Sequence, residues 1–132
     1  MLKEIEVRTS SRVEVVDITS QVEGVLKESK VKEGLLCLYV PHTTAGVFIN
    51  ENADPSVRRD IIKELNKVIP FDDGYTHLEG NAAAHIKSSL IGASECIPVN
   101  GGRLLLGTWQ GVYFGEFDGP RRRRVLVKVI EG

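Results

Sequence analysis

The chain has no long apolar run, no excess of either charge, few aromatic residues and only two cysteines, and each scarcity removes a class of protein. No stretch approaches the ~20 apolar residues of a membrane-spanning helix, and Met1-Leu2-Lys3-Glu4-Ile5-Glu6-Val7 lacks the continuous apolar core of a secretory signal. The expectation is a soluble, cytoplasmic protein with no membrane partner. With 17 Lys and Arg against 18 Asp and Glu, the net charge is -1. Such a balance creates no general field for nucleic acid. The one local concentration of positive charge is Arg121-Arg122-Arg123-Arg124. Cys37 and Cys96 form no Cys-x-x-Cys pair, and each lies in a strand-like segment. Both therefore read as small buried apolar side chains in a reducing compartment.

What is present describes one domain spanning residues 1–132, long enough to bury roughly two thirds of the surface of its unfolded chain. Ile5-Glu6-Val7-Arg8 and Val13-Glu14-Val15 alternate with period two and predict an opening antiparallel pair. Ser20 and Glu23 have the spacing of a capping box ahead of Val22, Val25 and Leu26, with Gly34 closing the segment. Leu35 to Val40 predicts a strand buried on both faces, and Gly46 to Asn50 a second strand beyond His42. The strongest helix signal is Asp54 as N-cap, Pro55 at the first position, an apolar face of Val57, Ile61, Ile62, Leu65 and Val68, and a stop at Pro70. A shorter helix is expected from about Asn81 to Ile91, then strands over Ser94–Val99, Arg103–Gln110, Val112–Phe117 and Arg124–Ile130. Links too short for crossover helices make the sheet mostly antiparallel, so the class is α+β, a compact sandwich with about three helices.

The three histidines, His42, His77 and His85, all fall where a segment changes direction. Neutral imidazoles suit zinc-like ions, and three of them plus a water make an open site that can activate that water. Read from the residues alone, the same three side chains serve equally as separate surface and capping residues. Asn50 and Glu51 stand just before a helix N-terminus, a natural place to receive phosphate, and Glu51 is the better candidate for proton transfer because Asp54 is taken up by the cap. Thr108, Trp109 and Gln110 lie between Gly107 and Gly111, where a flat aromatic wall could hold a planar ring or simply pack in a bulge. Alternation along a strand means at most half of Arg121 to Arg124 can face one site. A guanidinium fork from this cluster suits a phosphate or pyrophosphate, and a charged strand entrance that discourages edge-to-edge pairing accounts for the same residues equally well, with Lys87 a further cation near His85.

The combination of His42-Thr43-Thr44, Asn50-Glu51-Asn52, Asp54-Pro55, His85-Ile86-Lys87-Ser88-Ser89 and Gly107-Thr108-Trp109-Gln110 resembles the YjbQ family, also called the secondary thiamine-phosphate synthase family. The resemblance covers nearly the whole chain. It implies a homotrimer of α+β sandwiches with a site near the histidines and close to a subunit boundary. His42, His77 and His85 match family histidine positions, and Asn50, Glu51, Asp54, Arg103, Thr108, Trp109, Gln110 and Glu116 fall on motif positions without an assigned role.

The activity implied joins a pyrimidine methyl diphosphate to a thiazole phosphate, giving thiamine phosphate and pyrophosphate. Small phosphorylated metabolites are then the partners. Arg121 or Lys87 would meet the leaving pyrophosphate and Trp109 the pyrimidine. Magnesium, the usual companion of a diphosphate, prefers oxygen ligands, whereas three histidines suit zinc, nickel, copper or iron. Two other readings therefore stand beside the synthase: a metal-dependent hydrolase of a small phosphate ester with Glu51 as proton acceptor, and a non-catalytic trimeric metabolite- or metal-binding protein.

Overall fold

Period-two alternation in the terminal segments builds the larger sheet. In the computed structural model, which describes residues 1–132, β1 (Leu2–Arg8) buries Ile5 and Val7, while β8 (Arg122–Glu131) buries Arg123, Val125, Val127 and Val129. The two pair antiparallel, Ile5 opposite Val125 and Val7 opposite Arg123, so their apolar sets share one face. On the other side of β8 lies β3 (Gly34–Tyr39), followed by β5 (Ser94–Asn100) and β6 (Arg103–Leu104). The second sheet has the order β2 (Glu14–Asp17), β7 (Gln110–Glu116), β4 (Ala45–Glu51). Every strand pair is antiparallel. Leu36, Leu38 and Val127 of the larger sheet join Val47, Val112 and Phe114 of the smaller in one core, which α1 (Thr19–Ser29) completes with Val22, Val25 and Leu26. The α+β sandwich expected from the sequence is the fold observed.

The helix starts differ in how well local chemistry foretold them. For α2 (Pro55–Val68), the Asp54 carboxylate accepts the Ser56 N–H at 2.9 Å and Pro55 occupies the first turn. For α1, the Ser20–Glu23 box does not form. Asp17 accepts the Thr19 N–H and hydroxyl instead, the helix starts two residues earlier with Ile18 at the N-cap, and the Thr19 hydroxyl accepts the Val112 N–H of β7. The third helix, α3 (Ala82–Ile91), packs on β4 at Gly46, where a Cβ would stand 2.6 Å from the carbonyl oxygen of Gly92, the residue that ends the helix. That carbonyl accepts the Val47 N–H.

Five expectations need correction. The two opening segments do not pair with one another: β1 lies at the edge of the larger sheet beside β8, and β2 at the edge of the smaller one beside β7. Only Leu36, Leu38 and the following Val40 of the β3 segment point into the core, whereas Leu35 and Tyr39 are exposed, because no layer covers the outer face of the larger sheet. Cys37 and Cys96 stand opposite one another on that outer face and are not buried. The strand expected over Arg103–Gln110 ends at Leu104, since Gly107 to Gln110 close a turn in which the Gln110 side chain accepts the Gly107 N–H. The apolar face of α2 is only half-buried, and Val68 is 69 % exposed. No helix is long and apolar enough to cross a membrane.

Candidate functional site

His42 follows β3 and precedes β4, His77 lies in the loop before α3, and His85 sits on the second turn of α3. The fold brings His77 and His85 together, with ring centroids 5.2 Å apart in an edge-to-face arrangement. His42 and His85 share the walls of one cavity of about 450 Å³ with Thr43, Ser88, Ser89, Gly92 and Ala93. His85 also borders an adjoining cleft with Tyr75, Thr76 and His77. It is thus the common member of the histidine group. The two serines are oriented by the backbone: Ser88 donates to the Ala45 carbonyl and Ser89 to that of His85. Their remaining lone pairs can only accept.

His42 is held in one tautomer. Its Nε2 accepts the Arg124 N–H at 3.1 Å, so in the neutral ring the proton resides on Nδ1 and that atom is a donor. Burial, then the positive charges of Arg123 and Arg124, lower its pKa, against the opposing pull of Glu116. His42 is therefore uncharged at neutral pH and presents an N–H. A metal ligand needs a free nitrogen lone pair, and His42 has none while this bond stands. No three His, Cys, Asp or Glu side chains stand close enough together to ligate one ion. The three-histidine set expected from the sequence is thus reduced to the His77–His85 pair, which does not fit a resident zinc-like centre on its own.

A buried network braces the His42 turn. Arg123, 4 % exposed, forks onto both oxygens of Glu116, 0 % exposed, and donates to the hydroxyl and carbonyl of Thr44. Glu116 also accepts from Thr9 and from the Asp118 N–H. Arg122 and Arg124 point the other way, onto Glu6 and Glu4 of β1. The alternation expected within the arginine run is observed, yet the inward member is Arg123, not Arg121. A charged residue in step with Val125, Val127 and Val129 was the signal for it.

The other candidates lie elsewhere. Arg121 is engaged by the Asp118 carboxylate and carbonyl, near Arg8, and does not line the histidine cavity. Lys87 is completely buried, donating to Asn66 with its Nζ 4.3 Å above the Phe71 ring, so it braces α3 against α2 and is not a ligand-binding cation. Burial and the nearby Arg12 lower its pKa. Asn50, Glu51, Trp109 and Gln110 do meet, around a cleft of about 200 Å³. Glu51 has a structural duty after all, accepting the Ala53 N–H at 2.8 Å. Thr108 is exposed beside this cleft. The cleft lies at the opposite end of β4 from His42, roughly 20 Å away at ~3.4 Å per strand residue. The largest cavity, about 630 Å³ between Lys27, Lys30, Lys32 and Arg103, contains none of the histidines and is not the site described.

Trp109 is 63 % exposed, so its replacement by alanine should change the unfolding free energy by no more than ~0.5 kcal/mol. Urea denaturation checks this, and a much larger loss would return Trp109 to a packing role.

The sequence pattern described as "UPF0047 protein YjbQ-like" matches residues 3–132. A UPF0047 protein of Methanocaldococcus jannaschii is 57% identical over 130 residues, spanning 98% of this chain and 94% of that relative. The UPF0047 protein YugU of Bacillus subtilis is 50% identical, with 98% and 99% covered. Among solved structures, an uncharacterised conserved protein of the YjbQ/UPF0047 family from Clostridium acetobutylicum superposes with a TM-score of 0.95 at 52% identity, covering 97% of this chain and 99% of the other. A hypothetical protein from Aeropyrum pernix K1 superposes at 0.96 with 40% identity, covering 100% and 99%.

Proposed function

We propose, for a chain that belongs to the YjbQ-like UPF0047 family, an enzyme that receives the phosphate of a small phosphorylated metabolite in the His42–His85 cavity. The observation that carries this reading is the fixed tautomer of His42, whose Nδ1–H is a donor beside a cavity shared with a second imidazole. A phosphate oxygen accepts from such a donor, and a neutral His42 imposes no charge requirement of its own. His85, with His77 against its ring, is the group that moves a proton to or from the reacting atom. No step depends on a resident three-histidine metal.

The thiamine-phosphate synthase-like reaction is the named reaction of this kind, since both of its substrates carry phosphate. A magnesium ion brought in by the diphosphate suits its oxygen ligands better than the imidazoles do. That reaction also needs a wall for the pyrimidine, and Trp109 lies at the far end of β4. A homotrimer reconciles the two. Leu78, Ile86 and Leu90 expose apolar surface around the histidine end, and Leu105 and Trp109 expose it at the other. Packing one end against the other in a head-to-tail ring would bring the Trp109 cleft of one copy to the histidine cavity of the next.

The test assays purified protein for pyrophosphate release from the pyrimidine diphosphate and thiazole phosphate pair, and for phosphate release from a panel of small phosphomonoesters. Activity in either assay that falls in His85→Ala supports the reading. Its persistence at the wild-type rate in that variant removes His85 from it. Sedimentation equilibrium decides the trimer, and a monomeric mass would sink the composite arrangement.

A further inference from the structure

Nothing in the proposed activity uses the two cysteines, yet the fold places them as a pair. Cys37 of β3 stands directly opposite Cys96 of β5, in a register fixed on either side by Leu36 opposite Ile97 and Leu38 opposite Glu95. Directly opposed residues of an antiparallel pair have Cα atoms ~4.5 or ~5.5 Å apart, according to their place in the ladder. Both spacings lie inside the roughly 4.4–6.8 Å window that a disulfide spans without backbone movement. The sulfurs are already in contact at 2.8 Å, both thiols are free, and Cys96 is exposed with Cys37 half-buried beside it. No element of the chain covers this face of the sheet.

The geometry points to Cys37 and Cys96 as a reversible dithiol–disulfide site, oxidised by a hydroperoxide to a cross-strand disulfide within one chain. The exposed Cys96 sulfur attacks the terminal oxygen of the hydroperoxide. The O–O bond breaks, the alcohol leaves with the thiol proton, and Cys96 becomes a sulfenic acid. The Cys37 sulfur then attacks the Cys96 sulfur, the S–O bond breaks, and hydroxide leaves as water with the Cys37 proton. Two thiols and one ROOH give one disulfide, one ROH and one water. Contact with Cys96, together with burial, pushes the Cys37 thiol up to about 11, so it retains its proton at neutral pH and is not the sulfur that attacks the hydroperoxide first.

The site has a consequence for the histidine cavity. Cys37 precedes His42 by five residues and Cys96 follows Ala93 by three, and beyond the pair the two strands stay joined by the Val40 N–H to the Ala93 carbonyl at 2.8 Å. A disulfide would clamp together the two segments that form one wall of that cavity. The inference does not rest on the proposed phosphate chemistry.

The test treats the folded, assembled protein with a small excess of hydrogen peroxide, counts free thiols and maps peptides without reduction. The expected result is a fall from two free thiols per chain to none, a peptide joining Cys37 to Cys96 of the same chain, and restoration of both thiols by dithiothreitol. Cys37→Ser should form no intrachain link and accumulate sulfenic acid at Cys96, trapped by dimedone. Two thiols surviving the treatment, a link only between chains, or over-oxidation of wild type without a bridge would overturn the assignment.

Discussion

Replacing Glu116 with glutamine should destabilise the protein by about 3–5 kcal/mol, because it leaves the buried Arg123 guanidinium without its counter-charge. For a domain of this size that is a fall in melting temperature of roughly 10–20 °C. Arg123→Met should cost a similar amount by stranding the carboxylate. The double variant Glu116→Leu with Arg123→Met should recover a large part of the loss, since neither charge is then left unpaired. The pH dependence follows from the carboxyl group. Burial alone would raise the pKa of Glu116, but the bonds from Arg123, Thr9 and the Asp118 N–H outweigh it and hold the value below 4.5. A depressed carboxyl pKa stabilises the fold above the unfolded value, near 4.3, and that stabilisation is lost as pH falls through the folded value. Wild type should therefore lose stability below about pH 4.3, while Glu116→Gln should lack this component. Thermal melts from pH 3 to pH 7 check both claims, and equal acid sensitivity in the two proteins would contradict them. The effect extends to the site because Arg123 also bonds Thr44, two residues beyond His42.

The second large effect concerns chemistry, not folding. His85→Ala should lower kcat by about 10²–10⁴, the usual contribution of a positioned proton-transfer group. The fold should survive, since alanine is the best helix former and His85 is only half-buried on α3. His42→Ala should act differently. It removes a donor proposed for a phosphate oxygen, so KM should rise by about tenfold, the value of one ordinary hydrogen bond to a charged group. Steady-state kinetics on the three proteins separate the roles. A His85→Ala variant with wild-type kcat, or a His42→Ala variant with wild-type KM, would remove that residue from its assigned part.

Sequence and structure agree where the cause is local. The Asp54–Pro55 start of α2 needs only its own turn, and the alternation through Arg122, Arg124 and the β8 valines needs only strand geometry. What the sequence concealed depends on register between distant segments. The contact of Cys37 with Cys96 follows from the pairing of β3 with β5, and an apolar run cannot reveal whether a second layer covers its outer face. Lys87 read as a site cation because it neighbours His85 in sequence, yet two residues along a helix is about 200° around it, which turns Lys87 toward Asn66 and Phe71. The candidate site divided for a similar reason. Asn50 and Glu51 lie near His42 in sequence, but a strand between them places the two groups at opposite ends of the small sheet.

The phosphate-binding role of the histidine cavity rests on His42 being a neutral Nδ1–H donor. Long-range ¹H–¹⁵N spectra of the histidine side chains at pH 7, recorded while inorganic phosphate and then pyrophosphate are added, read that directly. The account predicts the Nδ1–H tautomer for His42, a pKa below 6.5, and saturable shifts at His42 and His85 as the anion binds. An Nε2–H tautomer at His42, or spectra unchanged up to millimolar pyrophosphate, would contradict it.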